Sequence, residues 1–151
     1  MTPADTVLRY LGVDDFGATR TAAGKLTAPI FLRLFYLCYL IDWKSSLERG
    51  KRLSNFTWRR ANWGPYSPEL LSAIVPALNR RALPASDLPA GDKEIVGSIL
   101  LKWGNVEIDT LRNIANSTYP LIVSEHDSVL DLERLAGQYR KDFKPAQKIS
   151  A

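Results

Sequence analysis

From Ala28 to about Leu47 apolar side chains recur on nearly every face of a helix: Ile30, Leu34, Leu37 and Ile41 form one stripe, and Phe31, Phe35, Tyr36, Cys38 and Tyr39 fill the others. A helix apolar all round is a buried element, so this segment predicts the central helix, with Pro29 in its first turn and Gly50 as its stop. The charges of Asp42, Lys44, Glu48 and Arg49 mark its emergence into solvent. Between residues 52 and 62 the pattern shortens to Leu53, Phe56 and Trp58 among polar neighbours, which predicts a short strand or hairpin. Asn62-Trp63-Gly64-Pro65-Tyr66 then reads as a turn.

Helical spacing resumes after Ser67, where an N-cap, Pro68 and Glu69 open a helix carrying Leu70, Leu71, Ile74, Val75 and Leu78. The proline-bearing stretch Leu83 to Gly91 predicts an exposed loop, and Asp92 the cap of a helix holding Ile95, Ile99, Leu100 and Trp103. Gly104 stops it, and a further helix is expected over about 106–116. Tyr119-Pro120 predicts a turn, and Ser128 with Asp131 a capping box opening a last helix through Leu132, Leu135, Ala136 and Tyr139. Near the N-terminus, Thr2 or Asp5 caps a short helix ending near Gly12, followed by a loop from Gly17 to Gly24. The expected architecture is one compact, mostly α domain of about six helices with a small β element near 52–62, spanning 1–143, and a polar tail over 144–151.

Composition supports a single domain of 151 residues, with 46% hydrophobic residues and a mildly basic formal charge of +4. That charge favours acidic partners without the density that makes phosphate-backbone binding the default. The lone Cys38 lies in an apolar run and suits a reducing cytoplasm. Ala28 to Ile41 is too short to span a bilayer and holds Arg33, so neither export nor a membrane partner is expected.

Catalytic chemistry has little to work with. The single histidine, His126, reads as a solvated loop residue between Glu125 and Asp127, and one Cys with one His makes no common metal site. No catalytic residue, metal or cofactor is expected, and the protein is read as a binding module. Arg52, Trp58, Arg59, Arg60, Trp63 and Tyr66 are its candidate contact residues, because arginine and large aromatics supply most interface energy. The same mixture suits stacking on nucleic acid, and the helix, Gly104, helix arrangement over 92–116 has the turn glycine of a helix-turn-helix. The carboxylates of Glu107 and Asp109 at the start of its second helix count against groove reading.

The order of several motifs is distinctive: Leu34 to Lys44 with its Tyr-Leu-Ile-Asp-Trp end, Glu48-Arg49-Gly50, Phe56-Thr57-Trp58, Trp63-Gly64-Pro65-Tyr66-Ser67-Pro68, and later Ser117-Thr118-Tyr119-Pro120. In this order, over roughly Leu26 to Tyr139, the chain resembles the Panacea family, the SocA-like antitoxins of bacteria and phages. The resemblance implies a helical domain with a small β element that neutralises a toxin encoded by a neighbouring gene through direct protein contact. It implies a structural signature at Asp42, Trp43, Gly50, Gly64, Pro65, Ser67, Tyr119 and Pro120. A nucleic-acid-binding regulator, using segment 44–66 or the 92–116 hairpin, is the alternative. Oligomeric state is open.

Overall fold

A computed structural model describes residues 28–72, 89–104 and 106–150, of which 28–31 and 144–150 are described as backbone only. The helix and loop expected before residue 25, and the end of the helix that starts at Pro68, lie outside the described residues. Helix α1 (Ala28–Arg49) is the axis of the fold. Leu34, Tyr36, Leu37, Tyr39 and Ile41 are wholly inaccessible, as all-round apolarity requires, and each such large side chain contributes about 1.5–3 kcal/mol through burial. Gly50 ends the helix at φ +76°, where its N–H reaches the Ser46 carbonyl at 3.0 Å.

After α1 come strands β1 (Trp58–Ala61) and β2 (Gly64–Tyr66), then helix α2 from residue 68, described to 72. Helices α3 (Ala90–Trp103), α4 (Ile108–Asn116) and α5 (Tyr119–Val123) follow, then strand β3 (Val129–Leu130) and helix α6 (Leu132–Ser150). The fold is thus mostly helical with a small three-stranded antiparallel sheet, ordered β2-β1-β3. Helices α3, α4 and α6 and strand β2 pack on α1.

Polar side chains tie these elements together where backbone groups would be orphaned. Arg140 of α6 donates to the carbonyls of Ser46 and Leu47, at 2.7 and 2.8 Å, in the last turn of α1. Arg33 donates to the carbonyls of Gly104 and Val106, at 3.2 and 2.7 Å, fixing the turn between α3 and α4. Thr118 gives its only hydroxyl proton to the Ala115 carbonyl, so in its 2.6 Å contact with Tyr39 the tyrosine is the donor.

Several boundaries differ from the sequence expectation. The segment 64–66 is a strand, because Asn62 and Trp63 alone make the hairpin turn, with Ala61 opposite Gly64. Gly64 is required there: at φ +140° its missing Cβ would lie 3.0 Å from the Tyr36 ring. Tyr119-Pro120 opens α5 instead of turning, since proline in a first helical turn loses no hydrogen bond. Asp92 lies in the first turn of α3, which starts at Ala90, and pairs with Arg49 at 2.5 Å. The cap of α6 is Asp131, whose carboxylate accepts the Arg134 N–H at 3.2 Å. Ser128 turns instead to the Glu125 carbonyl, because β3 separates it from the helix. The backbone of α6 stays helical through Ser150, into the stretch expected as a polar tail.

Candidate partner-binding surface

The geometry of the surface begins with a buried carboxylate. Asp42 is 1% exposed, one turn from the end of the buried part of α1. Its Oδ1 accepts the N–H groups of Leu53 and Ser54 at 3.1 and 2.9 Å, and its Oδ2 accepts the Ser54 hydroxyl and, at 2.8 Å, the indole N–H of Trp58. Four donors on one anion clamp the 53–58 segment to the helix. Burial nonetheless pushes the Asp42 carboxyl above its usual range, against the pull of those hydrogen bonds. The Cys38 thiol beside it is also pushed up, chiefly by burial.

Because Asp42 holds Trp58 inward, the pleat of β1 sets the direction of every residue after it. Trp58 and its partner Leu130 face the core, and Arg59 and its partner Val129 face out. Trp58 is 0% exposed and T-stacks with Tyr39 and Phe56 at 5.6 and 5.9 Å, so its expected role as a contact residue is corrected. Arg60 is half-buried and donates through Nε to the Leu121 carbonyl at 3.0 Å, in place of the expected solvent position. Arg52 is likewise built in, bound to the Phe56 carbonyl and 3.5 Å from Glu133. Trp63 and Tyr66 are half-buried against Phe35, at 5.4 and 5.6 Å. Of the six contact candidates only Arg59 keeps an outward place without a described carboxylate partner, donating to the Asp127 carbonyl at 3.1 Å.

The structure exposes a different set of apolar residues. Of six exposed large hydrophobic side chains, Ile122, Val123 and Val129 fall within one short stretch, Ile122 being 66% exposed. The Arg60 side chain reaches the Leu121 carbonyl of α5, and Val129 flanks β1 as part of β3. Val129 and Arg59, paired across β3 and β1, share one face of the sheet, Ile122 and Val123 are exposed at the end of α5, and the exposed Glu125, His126 and Asp127 lie in the connection from α5 to β3. Asp127 holds this connection in a left-handed conformation, φ 66°, with its N–H on the Arg60 carbonyl at 2.8 Å. No sequence expectation attaches to Ile122, Val123 or Val129, yet the signal exists: Leu121, Ile122 and Val123 are consecutive, and successive helical side chains diverge by about 100°.

The signature residues fall within the architecture. Trp43 is 7% exposed and edges onto Tyr139 at 6.0 Å; Ser67 is buried at the head of α2, and Pro120 within α5. Tyr119 packs on Tyr139 and Phe143 at 5.4 and 5.7 Å. Arg60 turns both its backbone groups toward β3, so Pro65 opposite it faces the outer edge of β2, where proline leaves no unpaired N–H. Of the residues of the nucleic-acid alternative, Lys44, Arg49 and Arg52 pair with Glu48, Asp92 and Glu133, Lys51 is exposed, and Glu107 and Asp109 stand exposed at the start of α4. Among the described residues no group of three or more His, Cys, Asp or Glu is placed to hold a metal ion, and no helix is long and apolar enough to cross a membrane. Comparison with protein-family models, with curated proteins and with solved structures returns no match.

Proposed function

We propose that the protein is a cytoplasmic antitoxin of the Panacea type, which neutralises the toxin encoded beside it by direct contact and carries out no catalysis. The observations that support this reading best are the outward pair of Arg59 and the exposed Val129 on neighbouring strands, and the exposed Ile122 and Val123 of α5, apolar and cationic groups of the kind protein partners cover. A second support is that the motifs carrying the resemblance act together, Asp42 holding Trp58 and Tyr36 holding the Trp63 carbonyl at 3.0 Å before Gly64. The contact surface proposed is accordingly centred on Arg59 and α5, not on the aromatics of segment 52–66.

Co-expression tests it. The product of the neighbouring gene should arrest growth when expressed alone, and this chain should restore growth and co-purify with it. Ile122→Glu should lose both effects while melting as wild type. A neighbour without toxicity, or rescue untouched by Ile122→Glu, overturns the antitoxin reading and the surface respectively.

A further inference from the structure

We draw no further inference here: the strongest candidate, the aromatic cluster in which Tyr119 of α5 meets Tyr139 and the exposed Phe143 of α6 at 5.4 and 5.7 Å, carries nothing because nothing in the structure shows what covers it.

Discussion

Trp58 and Arg59 are neighbours in the chain and belong to opposite regimes of the molecule. On the inner side of β1, the indole of Trp58, the carboxylate of Asp42 and the Ser54 backbone form a closed polar cluster in which each described group has its partner. On the outer side, Arg59 and Val129 carry charge and apolar area that the described chain leaves exposed or without an ion-pair partner. Buried polar groups are costly unless every bond is made, so the inner cluster tolerates little change and specifies the fold. The outer side makes fewer such bonds, and it is the side on which the proposed contact with a partner would fall. One strand of four residues thus separates the buried polar cluster from the outward face, proposed for a partner, by the alternation of its side chains.

The sharpest break in that comparison is Trp58→Ala. Removing a wholly buried indole should destabilise by about 3–5 kcal/mol, counting the cavity left between Tyr39 and Phe56. Trp58→Phe keeps most of the packing and withdraws one donor from Asp42, for a loss of about 1–3 kcal/mol. Urea denaturation reads both; equal losses would mean that the indole N–H contributes the whole effect, and negligible losses would place Trp58 outside the core.

Asp42→Asn probes the same cluster from its centre. An amide keeps one acceptor oxygen and turns an NH2 toward Trp58 or Ser54, so the expected loss is about 1–3 kcal/mol near neutral pH. Its pH dependence follows from the raised carboxyl. The folded state favours the protonated form more than the unfolded chain does, so this stability is fully present below the unfolded value and is lost as pH rises through the folded one. The margin of wild type over Asp42→Asn should therefore be wider at about pH 3 than at about pH 7 in thermal melts. A margin that widens toward neutrality would show that the four donors outweigh burial.

How far these regions were legible in the sequence follows from the strength of their patterns. The central helix announced itself because apolar residues fill every face from Leu34 to Ile41, and Gly50 and Ser67-Pro68 set a stop and a start that the backbone keeps. The phase of β1 did not. A four-residue strand alternating aromatic and arginine reads equally well facing either way, and only the Asp42 contact, from far along the chain, sets Trp58 inward. Strand β3, with two residues, has no period to detect, and it exists because Arg60 and Trp58 offer it a ladder. Pro120 was ambiguous in principle, since proline serves a turn and a first helical turn alike. The exposed end of α5 was hidden for a similar reason: Ile122 and Val123 are in excess of what one short helix can bury, and that becomes visible only once Leu121 is known to take the inward place.

The smallest stability effects belong to the arginine pair, and there the comparison can be sharpened within two adjacent residues. Arg60 lies on the inner phase of β1, and its bond to the Leu121 carbonyl holds α5 to the sheet. Arg60→Gln shortens the reach and should cost about 1 kcal/mol, through one lost hydrogen bond to a half-buried carbonyl. Arg59 lies on the outer phase, where its bond to the Asp127 carbonyl is exposed, and Arg59→Gln should stay within about 0.5 kcal/mol of wild type. Binding should rank them in reverse. Arg59→Glu changes the sign of the outward charge at the surface proposed for the toxin, and should reduce rescue and co-purification more than Arg60→Gln does. Melting temperature and rescue measured side by side on the two variants decide the matter. If stability and rescue fall together, both arginines act through the fold, and the division of β1 into an inner structural and an outer interactive face fails at its first residue past Trp58.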